Sequence, residues 1–494
     1  MGSLNVSSHL EYDKVAYDKS HIVHLLLTLE GKKLEASQRK PLSISVAIDC
    51  SGSMAGEKID FAKKSLLKLV EHLSSADTLA IVGFSDTVFS VLAPTKMESA
   101  AKEHALREIR KLQSMSATNL SGALLEAYQN LGKIESSKDA IQRAFLFTDG
   151  LPTAGVTDKD ALVEMAGKRP KDGSLTTFGY GQDHDPELLM SMAKRGGGNF
   201  HFIKNPDDVP KAFGHELGGL LSVVAQAVKT KVKAASGVKI LEILNDLDVE
   251  AKDDHSEVTV SVDDVYSEEK RRIVLKLELP EKSKAVAVRP STVVDVEVNF
   301  HDLRSNEPRM VEHTVKVEYV KADEAQKDAN KEVTEQIALL KAAQAQDEAQ
   351  KLAAKGNFAG AQAAINAAVV ACSAIGTPMA DAVAQDLRMN VMCCYEDEKT
   401  YGGSVNYLHS NSVSYRGGRG MTAGTREMFG TQAQAETSEA FSQGPDPSQL
   451  QAPVSHFILT PGQPLQVVQP PIQQPTVPTV KPPKSASKRR KHRR

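Results

Sequence analysis

Asp49, Ser51 and Ser53 occupy alternate positions in the run Asp49-Cys50-Ser51-Gly52-Ser53-Met54. One acid and two hydroxyls at that spacing, carried on a sharp loop, aim three hard oxygen donors at a single point. Such donors suit Mg²⁺ or Mn²⁺ and suit zinc poorly. A cation there needs further oxygens, and the sequence offers Thr118 in Ser116-Ala117-Thr118-Asn119 and Asp149 in Phe147-Thr148-Asp149-Gly150. Serine also caps helices, so Ser51 or Ser53 has the alternative role of starting the helix that follows. Cys50 stands between two of these positions with no histidine near it in sequence. A buried packing role is expected of it rather than nucleophilic chemistry.

Elements of fixed rhythm must hold these residues. From about residue 37 to 224, apolar runs of strand length alternate with amphipathic stretches of helical length, the pattern of a mostly parallel sheet covered by helices. Leu42 to Ile48 reads as a buried strand ending at Asp49, and Ala144 to Phe147 as another ending just before Asp149. Ligands of such folds sit where loops leave the C-terminal ends of strands. After residue 225 the apolar period becomes two, as in Val258, Val260, Val262 and Val294, Val296, Val298, so residues 225–320 are expected to be an antiparallel β-sandwich-like domain. Val23, Leu25, Leu27 and Leu29 alternate likewise, and this strand of segment 1–36 is expected to join that domain. Residues 321–400 have helical periodicity broken at Gly356 and at Gly376-Thr377-Pro378, predicting three helices. From 401 to 494 the pattern fades into Gln-, Pro-, Ser- and Thr-rich sequence, and a mostly disordered tail is expected.

Asp-x-Ser-x-Ser, a downstream threonine in a small-residue loop and Asp-Gly after a strand together resemble the metal-ion-dependent adhesion site of von Willebrand factor type A domains. The resemblance covers roughly residues 40–224 and fills all five ligand positions. It implies a doubly wound, Rossmann-like α/β domain in which Ser51, Ser53 and Thr118 contact the cation. Asp49 and Asp149 would act largely through water or as acceptors behind the first ligands, and an acidic residue of a partner protein would complete the shell. The order of A domain, β-domain and helices also resembles the larger part of certain plant ubiquitin ligases. Those add a RING finger, which four cysteines, Cys50, Cys372, Cys393 and Cys394, do not supply. A ligase role is therefore expected only as a non-catalytic subunit.

Other signals are weaker. Gly179-Tyr180-Gly181 lacks the third glycine of a dinucleotide loop, and His215-Glu216-Leu217-Gly218-Gly219 lacks the second histidine of a zinc protease. No phosphate-binding loop or nucleophile elbow appears, so no enzyme activity is expected. No apolar run of about eighteen residues and no signal-peptide pattern occurs, so a chain inside the cell with no membrane span is expected. The formal charge is −3, yet residues 481–494 hold eight Lys or Arg and no acid; the other 52 basic side chains face 63 acidic ones, leaving the body at −11. The run Lys488, Arg489, Arg490, Lys491, Arg493 and Arg494 fits a nuclear localisation signal, a nucleic-acid contact or a solvated tail. The leading expectation is an intracellular scaffold or adaptor binding a partner's acidic residue; the competing one is a nucleic-acid-associated nuclear protein acting through the tail.

Overall fold

The computed structural model describes residues 2–34, 39–134, 140–170, 173–181, 184–205, 207–283, 290–420 and 422–442. The basic run 488–494 and the distal tail lie outside them. Strands β1 (Leu4–Leu10), β2 (Lys14–Ala16) and β3 (His21–Gly31) precede β4 (Leu42–Asp49). All eight residues of β4 are buried. A strand with no exposed face must be paired along both edges and covered on both faces. The chain continues through α1 (Glu57–His72), β5 (Thr78–Phe84), β6 (Val88–Lys96), α2 (Ser99–Arg110) and α3 (Leu120–Lys133). It goes on through β7 (Ile141–Thr148), α4 (Lys159–Gly167), β8 (Gly173–Tyr180), α5 (Pro186–Arg195), β9 (Phe200–Ile203) and α6 (Asp208–Leu221).

The sheet order is β6-β5-β4-β7-β8-β9, with β6 alone antiparallel to its neighbour. From β4 the chain moves outward to β5 and β6, then returns to lay β7 on the other edge. That reversal opens a crevice at the C-terminal ends of β4 and β7. Helices α1, α2 and α6 cover one face over Ile44, Val46, Phe145 and Phe178. Helices α3, α4 and α5 cover the other over Ala47, Ala144, Leu146 and Leu175. The unit is the doubly wound α/β domain expected from its alternating pattern.

Beyond α6 come β10 (Val223–Ala234), β11 (Lys239–Ile243), β12 (Asp248–Ala251), β13 (Glu257–Tyr266), β14 (Lys270–Leu279), β15 (Ser291–Asp302) and β16 (Glu307–Val320). They form two sheets, β1-β3-β14-β11 and β12-β13-β10-β15-β16-β2. Strand β3 pairs with β14 from His21↔Leu279 to Glu30↔Lys270, so chain from before and after the α/β unit shares one sheet. The inward residues of both sheets, including Leu25, Leu27, Val232, Val260, Leu275 and Val296, meet in one core.

Helices α7 (Lys331–Ala353), α8 (Phe358–Ser373) and α9 (Pro378–Cys394) follow. Their breaks fall at Gly356 and Gly376, both with positive φ, and Asn357 and Thr377 cap the next helices. The expectation of a patternless tail from 401 is corrected: α10 (Glu398–Gly402), α11 (Val405–Gly417), α12 (Ala423–Phe429) and α13 (Gln432–Ser442) occupy that stretch. Ser410, Asn411, Ser412, Ser414, Thr422 and Thr425 are buried there, held by hydrogen bonds rather than by apolar packing. Asn411 Nδ2 donates to Asp386 at 2.9 Å, Ser412 Oγ to Asp347 at 2.6 Å and Arg419 Nε to Glu269 at 2.8 Å. Polar groups so paired can be buried at little cost, and they leave no hydrophobic periodicity to read.

Helix α13 lies in a groove of α6 made by Gly214 and Gly218. A Cβ on Gly218 would stand 2.7 Å from Ala433 O and Gln434 Cα, and one on Gly214 would stand 2.8 Å from Ser438 Cα and Thr437 O. Phe441 anchors the far end, fully buried against His72. Gly218→Val therefore drives α13 away from α6. The expected outcome is loss of amide-exchange protection over residues 432–442 and a destabilisation of roughly 1–3 kcal/mol, measured by hydrogen exchange and thermal melting.

Candidate functional site

The crevice at the sheet reversal collects the five residues chosen from the sequence. Asp49 ends β4, Ser51 and Ser53 lie on the turn after it, Thr118 immediately precedes the cap of α3, and Asp149 follows the last residue of β7. Ser51 and Ser53 are not helix caps. The single 3₁₀ turn Gly52–Met54 has no side-chain cap from Ser51, and α1 starts after Gly56 with none either. The two hydroxyls are 2.9 Å apart, and Ser53 Oγ donates to Asp149 Oδ1 at 2.7 Å. A Cβ added to Gly150 would lie 3.7 Å from both Ser53 Oγ and Thr118 Oγ1, so Thr118 faces the same point across that glycine.

Both carboxylates are fully buried and each is held by donors. Asp49 accepts from the Ser51 backbone N–H at 2.7 Å and from the Thr148 hydroxyl at 2.6 Å. Asp149 accepts from Ser53 and, on its other oxygen, from Lys58 Nζ at 2.6 Å. Three hydroxyls and two carboxylates make a hard donor set that fits a divalent oxygen-seeking ion. Among the described residues no group of three or more His, Cys, Asp or Glu is placed to hold a metal, so a cation here would depend on hydroxyl oxygens. Cys50 is buried in the core behind the site, and burial pushes its thiol up to about 12, which removes it as a nucleophile.

Besides Thr148, the donor to Asp49, two features escaped the sequence reading. Lys58 is the first; its signal is a lysine in the first turn of a helix, where the dipole disfavours a cation. The second is an apolar frame. Met115, Leu151 and Val156 are 46%, 51% and 39% exposed. Each belongs to a segment bonded to the site: Gly52 N to Ser116 O at 2.9 Å, Thr153 N to Thr118 O at 3.0 Å and Val156 N to Ser121 Oγ at 2.9 Å. His215 and Glu216, by contrast, belong to the packing of α6; the Glu216 carboxylate accepts from Thr176 at 2.7 Å and Asn199 at 2.9 Å, and pairs with the His201 ring at 3.0 Å.

Burial raises the Asp49 carboxyl to about 6 in the metal-free protein, against the hydrogen bonds from Thr148 and Ser51 that lower it. The folded state then holds a proton up to about pH 6 that the unfolded chain releases near pH 4, so stability falls as pH rises through that window. Asp49→Asn removes the buried charge. Without metal at pH 7.5 this variant should exceed wild type in stability by up to about 3 kcal/mol. The gap should close as pH falls from 6 to 4, as followed by denaturant melts at each pH.

Residues 43–215 match the von Willebrand factor type A domain family. Among curated relatives, the chain is 29% identical over 196 residues to inter-alpha-trypsin inhibitor heavy chain H1 of Mesocricetus auratus, covering 38% of this chain and 21% of that protein. It is 25% identical over 280 residues to the E3 ubiquitin-protein ligase WAV3 of Arabidopsis thaliana, covering 56% and 35%. The chain thus spans well under half the length of these relatives. Two solved structures share its fold at 17% identity. One is a von Willebrand factor type A protein from Catenulispora acidiphila, with TM-score 0.62 over 78% of this chain and 90% of that one. The other is the ArnB paralog VWA2 from Sulfolobus acidocaldarius, with TM-score 0.53 over 83% and 99%. With its sheet reversal, its two helical layers and this family match, the segment 43–215 is a von Willebrand factor type A domain.

Proposed function

We propose that the protein is an intracellular, non-catalytic scaffold or adaptor that uses Mg²⁺ or Mn²⁺ at the A-domain crevice to hold an acidic residue of a partner protein. The observation that carries this reading is the convergence of Ser51, Ser53 and Thr118 hydroxyls over two buried carboxylates that are themselves fixed by donors. Ser51, Ser53 and Thr118 would ligate the ion directly. Asp49 and Asp149, already bonded to neighbouring groups, would orient those hydroxyls and any bridging water. A bound divalent ion supplies an electrophilic position for an external carboxylate, because few of its ligands carry charge.

The surroundings fit a binding role. Met115, Leu151 and Val156 offer exposed apolar area beside a polar centre, the composition of a protein contact rather than of a sealed reaction chamber. The four cysteines are unpaired, three of them buried, which suits a reducing compartment. No helix among the described residues is long and apolar enough to cross a membrane.

One second reading has support: a non-catalytic ubiquitin-ligase subunit, since the similarity to the plant ligase extends over 280 residues, beyond the A domain. The nucleic-acid reading rests on the basic tail alone.

Recovery of bound proteins from cell extract separates these. The wild type, Asp49→Ala, Leu151→Ser and a version lacking residues 481–494 are compared with and without chelator. The adaptor reading expects recovery to fall at least about tenfold with chelator or Asp49→Ala. Leu151→Ser should weaken it by about 1–2 kcal/mol, from lost apolar burial, with Mn²⁺ binding unchanged. Indifference to both chelator and Asp49→Ala sinks it. Ubiquitin-conjugating enzymes among the metal-dependent partners favour the ligase reading, and salt-sensitive nucleic acid lost only with the tail favours the third.

A further inference from the structure

Lys58 is the one cation bonded to this group of oxygens among the described residues. Its ammonium lies 2.6 Å from Asp149 Oδ2, while Asp149 Oδ1 takes the Ser53 hydroxyl. The same nitrogen stands 5.2 Å over the Tyr180 ring, an additional electrostatic hold. Asp149 is fully buried and the Lys58 side chain about a quarter exposed, so the pair is screened less than a surface bridge. Lys58 also sits in the first turn of α1, beside Glu57 and Asp60, the residue types that a helix N-terminus favours. A lysine there works against the helix dipole, and its compensation is the carboxylate of the metal site.

Resting on the metal-dependent reading above, we infer that Lys58 is a tethered counter-charge that makes the A-domain site depend on an external carboxylate. Asp49 and Asp149 alone would balance a divalent ion. With Lys58 held on Asp149, the loaded site keeps about one uncompensated positive charge among the groups in direct contact. A metal ion then gains less from binding alone, and an acidic side chain arriving at the open position restores neutrality. Binding of the ion and of the carboxylate therefore reinforce each other, and by linkage the reinforcement is reciprocal. Glu57, Asp207 and Asp208 act from the Tyr180 side. They shift the absolute charge of the region but not the difference made by deleting Lys58.

The inference separates charge from scaffolding. If Lys58 merely positions Asp149, its loss weakens the ion and the carboxylate together. If it is a counter-charge, its loss tightens the ion and weakens the coupling.

The test is a Mn²⁺ titration of the full chain, read by electron paramagnetic resonance of the free ion. Wild type, Lys58→Met and Lys58→Arg are compared with acetate and with chloride at equal ionic strength, correcting for the affinity of acetate for free Mn²⁺. Lys58→Met should bind Mn²⁺ about tenfold tighter in chloride, the scale of one unit charge near an ion at a partly solvated site. The gain in Mn²⁺ affinity from acetate should shrink by a similar factor. Lys58→Arg, which keeps the charge, should behave as wild type, and thermal melts confirm that each variant folds. Wild-type binding with an unchanged or weakened Lys58→Met overturns this inference alone. Absence of Mn²⁺ binding by the wild type removes the metal reading and this inference with it.

Discussion

Parallel pairing of β4 along both edges is the constraint on which the rest of the molecule depends. Its register with β5 runs from Ser43↔Thr78 to Asp49↔Phe84, and with β7 from Leu42↔Ile141 to Ile48↔Phe147. Because the strands are parallel, all leave the sheet at the same end, and their loops gather there. Because the chain goes outward from β4 before returning to its other side, the loops after β4 and β7 diverge, and the crevice between them is not filled by a connection. Asp49 and Asp149 stand on its two walls. The price is a central strand buried on both faces, which works only when helices cover both sides, as α1, α2 and α6 do on one and α3, α4 and α5 on the other.

The α/β unit is joined to its surroundings by buried charge as well as by chain connection. Arg143, on β7, is nearly inaccessible and donates to Asp264 of β13 at 2.9 Å. Glu216 of α6 is also buried; burial alone would raise its carboxyl, but His201 and Arg143 hold it well below the usual carboxylate range. Arg419 reaches in from the segment after α11, donates to Glu269 and Asn199, and stacks on Tyr266 at 4.6 Å. Removing one partner of such a pair leaves an uncompensated buried charge, at a cost of roughly 3–5 kcal/mol. The chain between 401 and 442 is thus part of the folded body: it supplies the arginine and the helix that complete the contact.

What was legible in the sequence was whatever periodicity or spacing encodes. The buried run before Asp49, the alternation of Val258, Val260 and Val262, and the glycine breaks at 356 and 376 each carry a local signal that tertiary packing does not override. The five oxygen donors were legible because each is tied to a strand end or a small-residue loop. Thr148 and Lys58 were not, since nothing in their spacing says that one holds Asp49 and the other Asp149; both roles exist only once β4 and β7 are side by side. Helices α11 to α13 were missed for a different reason. Buried Ser410, Asn411, Ser412 and Ser414 stand beside Leu408 and Tyr415 on α11, and Thr422 and Thr425 are buried at α12; such residues read as loop by composition, and partners such as Asp347 and Asp386 that satisfy two of them come from other helices.

The hydrogen bonds within the crevice also bear on what the site can do. Ser51, Ser53, Asp149 and Lys58 form a chain in which each polar group has a neighbour, and Asp49 is satisfied by Ser51 and Thr148. The hydrogen bonds of the crevice are thus made within the protein, and the buried Asp49 charge is held by neutral donors. A hydroxyl that donates its proton to a carboxylate keeps its lone pairs for a cation, so Ser53 can serve Asp149 and an ion at once without rearrangement of the backbone. If an ion enters, the cost would fall on Asp49, whose buried carboxyl must be ionised, and on the repulsion from Lys58. On the proposed metal reading both terms would weaken an ion that binds alone, and an arriving carboxylate would relieve the second. That balance is what the proposed partner-binding role would require of the site.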